Sequence, residues 1–128
     1  MPANKRCHFD RYPSEAAFKD KESYYSTALH ELTHWTRHET RLARDFGRQR
    51  FGDEGYAREE LVAELGSAFL CADLGITPDI REDQAAYLGH WLKILQDDKR
   101  AIFSAAAHAQ RAADYLQQLQ PPPVEQAA

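Results

Sequence analysis

His30, Glu31 and His34 spell His-Glu-Leu-Thr-His, and this short segment constrains the chain more than any other stretch of its sequence. On a helix of 3.6 residues per turn, side chains four apart stack on one face, so both imidazoles reach the same point. Glu31 projects about a third of a turn away, near enough to polarise a metal-held water without ligating. Neutral imidazoles suit zinc, and a site with three protein ligands leaves the fourth position for water. The segment therefore predicts a helix carrying a divalent-metal site. One Zn2+ per chain is expected on His30 and His34, with Glu31 as the general base of a hydrolase.

A third ligand is required. His38 shares the face of His30 and His34, but a straight helix carries it about 6 Å further along the axis per four residues, too far to complete a tetrahedral set. The better source is the segment Tyr56-Ala-Arg-Glu-Glu-Leu-Val-Ala-Glu64. Glu60 and Glu64 are four apart and share a helix face, which offers one carboxylate for the metal and a second to accept the free N–H of a ligating histidine. Glu60 is expected as the ligand and Glu64 as the histidine's partner. The choice between the two stays open, and Glu59 reads as part of a solvated acidic face.

Around these motifs the hydrophobic spacing is helical. A helix is expected from about Ser23 to Phe46, followed by a glycine-marked loop, Gly47 to Gly55. A second helix, Tyr56 to Leu74, carries Leu61, Leu65, Ala68 and Ala72 on one stripe and stops at Gly75. A third runs from Ile80 to about Gln96 with Tyr87, Leu88, Trp91, Leu92 and Leu95. Asp97 or Asp98 can cap a last helix bearing Ile102, Ala106, Ala109, Ala113 and Leu116. Ser14 can cap a brief helix through Asp20, and Cys7 to Tyr12 leaves room for one short strand. The fold class is thus mainly α, with four to five helices and at most a small β element near the N-terminus. Residues 1–13 read as an irregular segment, 14–119 as the folded domain, and 120–128, with three consecutive prolines, as a disordered tail.

Composition narrows the function classes. Net charge is −4, so the domain as a whole is not a polyanion binder. No apolar run approaches the ~20 residues that cross a bilayer, and the first ten residues lack a signal-peptide core. A cytoplasmic protein is expected, with no Cys7–Cys71 disulfide and no membrane partner. Arg37, Arg41, Arg44 and Arg48 recur at helical spacing, and with Glu39 and Asp45 between them they read as a salt-bridged, solvated face. Tyr87, His90 and His108 are the later residues able to steady an oxyanion or contact a substrate. Trp35 and Trp91 read as core.

The stretches YYSTALHELTHWTRHETRL, FGDEGYAREELVAELGSAFLCADLGI and AAYLGHWLKILQDDKRAIFSAAAHAQRAADYL together resemble the C-terminal metallopeptidase-like domain of ArdC-type antirestriction proteins and TraC-type plasmid primases. The same domain occurs in phage and plasmid polyvalent proteins. The resemblance spans roughly residues 18–117 and implies a zincin-like fold, a gluzincin-style site and carriage by mobile elements. It matches at His30, Glu31 and His34, and at the EELVAE segment holding Glu60 and Glu64. Larger ArdC-like proteins resemble a fusion with an N-terminal single-stranded-DNA-binding domain. Only 29 residues precede His30, so that domain is expected to be absent and single-stranded DNA to bind weakly. Two readings follow. One is a zinc-dependent peptidase-type hydrolase acting on a protein or peptide, with a host factor as one candidate substrate. The other is a metal-stabilised module that counters restriction by binding protein or DNA.

Overall fold

The computed structural model describes residues 12–47, 54–79 and 82–122, with only the backbone described for 82–87. Its helices are α1 (Lys21–Trp35), α2 (Glu54–Leu74), α3 (Glu82–Asp97) and α4 (Ala101–Gln118). The fold is mainly α, and no strand occurs among the described residues. The strand expected near Cys7 to Tyr12 lies almost wholly outside them. Before α1, the brief helix expected from Ser14 is a single 3-10 turn, Glu15–Ala17, without a side-chain cap. Among the described residues no helix is long and apolar enough to cross a membrane.

α2 is the central element. It packs most extensively on α1 and α4, and less on α3. Leu61, Val62, Ala63, Leu70 and Cys71 are buried along it, so it has apolar neighbours on more than one side. Against α4 the contact is made by small residues: Leu61 and Val62 meet Ala105 and Ala109, and Leu70 meets Ala113 and Leu116. Alanines at these positions let the two helix backbones come close. Trp91 of α3 packs beside Ala57 and Ile94 and donates its indole N–H to the Ala57 carbonyl at 3.0 Å.

The helix ends follow local chemistry. Asp20 caps α1 by accepting from the Ser23 N–H at 2.7 Å. Gly75 closes α2 at a φ of +70°, with its N–H on the Ala72 carbonyl and the Ile76 N–H on the Cys71 carbonyl. That pair of bonds is a Schellman closure, and the left-handed residue it needs is glycine. Asp98 precedes α4 and accepts from the Arg100 N–H at 3.0 Å.

Three expectations need correction. The first helix ends at Trp35 rather than Phe46. Thr36 to Asp45 forms turns instead, closed by Leu42 N–H on the Thr36 carbonyl and Arg44 N–H on the Arg37 carbonyl, with Ala43 at a φ of +49°. The arginine-rich sequence favours helix locally, but the turns carry Arg44 into the interior, where it is 6% exposed and ion-paired. Among the described residues the arginine stripe is broken, because Arg44 is buried and Arg41 stacks on the Trp35 ring at 3.9 Å; Arg48 lies outside them. The buried stripes also differ from the expected ones. Ala68 and Ala72 of α2 are exposed, Leu88 and Leu92 of α3 are about half exposed, and α4 buries Ala101 and Ala105 where Ile102 and Ala106 were expected to lead.

α1 and α2 run antiparallel, and successive turns meet in register. His34 faces Glu59 and Glu60, His30 faces Glu60 and Glu64, and the Ser67 hydroxyl donates to the Ser26 carbonyl at 2.8 Å. The approach is set at Gly66, where a Cβ would fall 2.6 Å from Thr33 Cγ2 and 2.8 Å from its Oγ1. Thr33 is fully buried, and its hydroxyl is committed to the Leu29 carbonyl, so it cannot easily turn away. Gly66→Ala is therefore expected to lower stability by about 1–3 kcal/mol. Adding Thr33→Ala should recover part of the loss. Chemical denaturation of the three proteins checks this, and a Gly66→Ala stability equal to wild type would contradict the close crossing.

Candidate metal centre

Five side chains from the α1–α2 crossing converge. α1 supplies His30 and His34, and α2 supplies Glu59, Glu60 and Glu64. The two Nε2 atoms are 3.1 Å apart. One Glu60 oxygen lies 3.2 Å from His30 Nε2 and the other 3.0 Å from His34 Nε2. One ligand atom from each of these three residues lies within 4.8 Å of the others, a grouping that could hold a metal ion.

The far side of each imidazole decides what the near side can do. His30 Nδ1 lies 2.8 Å from a Glu64 oxygen, and His34 Nδ1 lies 3.1 Å from Glu59 Oε1. A carboxylate only accepts, so each Nδ1 carries the hydrogen and, in the neutral ring, each Nε2 is left with a lone pair. Two lone pairs and a carboxylate thus point at one another. That arrangement repels unless a cation or a proton sits among them. Ligands about 2.0–2.1 Å from a tetrahedral zinc are about 3.3 Å apart, close to the spacing of these donors. The residues fit such an ion.

Protonation shows the same demand for positive charge. Burial favours the neutral form of His30, but Glu60 and Glu64 outweigh it and push its pKa up to about 9. Burial likewise works against the charged form of His34, and Glu59 and Glu60 overcome it to raise that pKa. For Glu60, burial is outweighed by His30 and His34, which hold its pKa down at about 2. A proton on His30 and an ion at the same point are alternatives. Metal binding must release that proton, so affinity rises with pH up to about 9.

Glu59 is where the sequence reading is most at fault. Rather than facing water it is 2% exposed. Arg44 grips it with two parallel bonds, Nε to Oε2 and a terminal nitrogen to Oε1, each 2.7 Å. The same guanidinium donates to the Thr33 carbonyl at 2.9 Å and to Thr36 Oγ1 at 3.1 Å, tying the end of α1 to the pair. Burial would raise the Glu59 pKa, but Arg44 and His34 lower it on balance. A signal was present in the sequence: the residues three and four positions from Glu59, its neighbours on a helix face, are Gly55, Tyr56, Val62 and Ala63, none of them charged.

The other candidates are dispersed. Glu31 is partly exposed on α1, beside His30. His38 sits in the turns after α1 with Nδ1 2.8 Å from Thr40 Oγ1, because the helix that would have aligned it with His34 has ended. His90 is exposed on α3 and lines a small cavity with Glu54, Lys93 and Asp97. His108 packs edge-on against Phe46 at 5.2 Å and accepts from Arg111 at 2.8 Å. The side chain of Tyr87 lies outside the described residues.

A family model described as zincin-like metallopeptidase matches residues 7–108. The chain belongs to this family. Among curated members, it is 49% identical over 104 residues to a DNA primase TraC of Escherichia coli, covering 81% of this chain and 10% of the primase. It is 45% identical to the uncharacterized protein y4eC of Sinorhizobium fredii, over 81% of this chain and 34% of that one. Among solved structures, the Mn(II)-bound antirestriction protein ArdC from plasmid R388 superposes with a TM-score of 0.73 at 49% identity, over 83% of this chain and 39% of ArdC. Its metal-free form gives 0.70 at 51% identity, over 83% and 38%. This family member thus spans a tenth to about two fifths of these relatives, and the resemblance to ArdC and TraC read from its sequence is borne out.

The Arg44–Glu59 pair generates a test. Arg44→Met leaves a buried carboxylate without its main partner and is expected to cost about 3–5 kcal/mol. Adding Glu59→Gln removes the stranded charge and should restore most of that stability. Denaturation of the metal-free proteins measures both, and equal losses in the single and double variants would contradict the pairing.

Proposed function

We propose that this chain is the catalytic domain of a divalent-metal hydrolase of the peptidase type, with His30, His34 and Glu60 as ligands and Glu31 as general base. The observation that carries the reading is the convergence of three electron-pair donors whose histidines are pinned, N–H outward, on carboxylates. Zinc is the ion proposed. Two imidazoles favour it over manganese in the ordinary order of affinities, although ArdC has been crystallised with Mn(II). When bound, the ion would supply Lewis acidity that polarises a carbonyl and makes water easier to deprotonate.

The chain's own residues would do the rest. Glu64 and Glu59 hold the two imidazoles in one tautomer and orientation, so that neither must reorganise. Glu31 would take a proton from the attacking water and return it to the leaving amine. The substrate class proposed is protein or peptide, and by kinship with an antirestriction protein the setting is countering host restriction. Single-stranded DNA is proposed to bind only weakly, in keeping with a net charge of −4.

A second reading has its own support. Because the candidate ligands come from two crossing helices, an ion there would also brace α1 against α2, as in a metal-stabilised interaction module. Glu31 separates the readings, since a scaffold does not need a base. Glu31→Gln is expected to keep the metal and lower peptide turnover by roughly 10²-fold or more, while Glu60→Ala loses the metal. Elemental analysis beside a cleavage assay reads both. An antirestriction effect that survives Glu31→Gln intact would favour the scaffold.

A further inference from the structure

Each candidate histidine is held from behind by a carboxylate, but the two are not held alike. Glu64 reaches His30 Nδ1 at 2.8 Å directly across the α1–α2 crossing. His34 Nδ1 lies 3.1 Å from Glu59 Oε1, and that oxygen also accepts from a terminal nitrogen of Arg44 at 2.7 Å. The His34 bond is thus one of two to a shared oxygen, and the longer of them. The Arg44 and Glu59 side chains are each 2% exposed, so water competes for neither.

Sharing the oxygen makes the direction of Glu59 decisive. A glutamate carboxylate turns broadly about its last side-chain torsion, and each of its oxygens has two lone pairs. Arg44 takes one lone pair on each oxygen through parallel bonds, Nε to Oε2 and a terminal nitrogen to Oε1, both 2.7 Å. The carboxylate plane is thereby fixed, which leaves the second lone pair of Oε1 for His34 Nδ1. The guanidinium is fixed in its turn, donating to the Thr33 carbonyl at 2.9 Å and to Thr36 Oγ1 at 3.1 Å. The Thr36 hydroxyl donates to the same Thr33 carbonyl at 2.6 Å, and both threonines are fully buried. A lysine could supply the charge at this point but not the planar fork.

We propose that Arg44 is a positioning residue of the metal centre: by fixing the plane of the Glu59 carboxylate it fixes the ring of His34. Ion affinity then depends on a side chain that touches no ligand and is delivered by the turns after α1. His30, held by Glu64 alone across the crossing, does not share this dependence on the turns. The proposal rests on the reading of His30, His34 and Glu60 as ligands, and is independent of whether peptides are cleaved.

The experiment measures zinc affinity by competition with a chromogenic chelator, on folded wild-type, Arg44→Lys, Glu59→Gln and Arg44→Met/Glu59→Gln proteins. Ile94→Ala, from an apolar cluster on α3 that contains no candidate ligand, serves as a control for lost stability alone. Glu59→Gln is expected to lower affinity by roughly 10–100-fold and Arg44→Lys by about tenfold or more. The double variant should bind no more weakly than Glu59→Gln, because Arg44 acts through Glu59, and Ile94→Ala should keep wild-type affinity. NMR of nitrogen-labelled imidazoles in the zinc-loaded proteins should show the Nδ1 hydrogen of His34 exchanging faster with water in Arg44→Lys, with that of His30 unchanged. Wild-type affinity in Arg44→Lys, losses that add in the double variant, an equal loss in Ile94→Ala, or an unaltered His34 ring would overturn the proposal. Failure of the wild-type protein to bind zinc would sink the ligand reading and the proposal together, whereas tight wild-type binding with unaffected variants would sink the proposal alone.

Discussion

Three carboxylates and two imidazoles are held between α1 and α2 with little access to water, and the balance of their charges governs everything near the crossing. Glu59 is neutralised by Arg44, while Glu60 and Glu64 are left to the histidines and to whatever positive charge lies between them. Buried carboxylates without such partners would be costly. The chain meets that cost in unequal ways. One carboxylate is locked to a guanidinium that also holds the end of α1, and the others remain poised around a point that takes a proton or a cation. Stability and function are therefore coupled through the same few atoms.

The requirement explains features remote from the centre. α1 stops at Trp35 because the turns after it deliver Arg44, and the strained Ala43 lies in those turns. Gly66 is needed because only a helix without a side chain there lets α2 approach Thr33 closely enough for both histidines to meet their partners. The alanines of α4 serve the opposite face of α2, fixing the helix that carries all three glutamates.

Much of this was legible in the sequence. The spacing of His30 and His34 required a helix, and the carboxylates of Glu60 and Glu64 at one-turn separation marked the element facing it. What escaped were interactions between segments distant in sequence. Nothing local distinguishes Arg44 from Arg37 or Arg41; only its pairing with Glu59 does, and that pairing overrides the helical propensity of residues 36–46. Leu61, Ala109, Ala113 and Leu116 are buried as expected, whereas Ala68, Ala72, Ile102 and Ala106 each sit one position from a buried residue, because α2 is covered on several sides and periodicity alone could not orient it. The resemblance to ArdC and TraC carried further than periodicity, since it rests on long stretches of sequence rather than on five residues. It still covers only part of those larger proteins.

The central claim is that one divalent ion sits between His30, His34 and Glu60. Anomalous diffraction at the zinc edge, from crystals grown with zinc, tests it directly. The account predicts a single peak about 2.0–2.2 Å from His30 Nε2, His34 Nε2 and a Glu60 oxygen, with Glu59 and Glu64 still on the two Nδ1 atoms. A peak ligated by Glu59, Glu64 or His38 with Glu60 turned away, or no peak between α1 and α2, would contradict it.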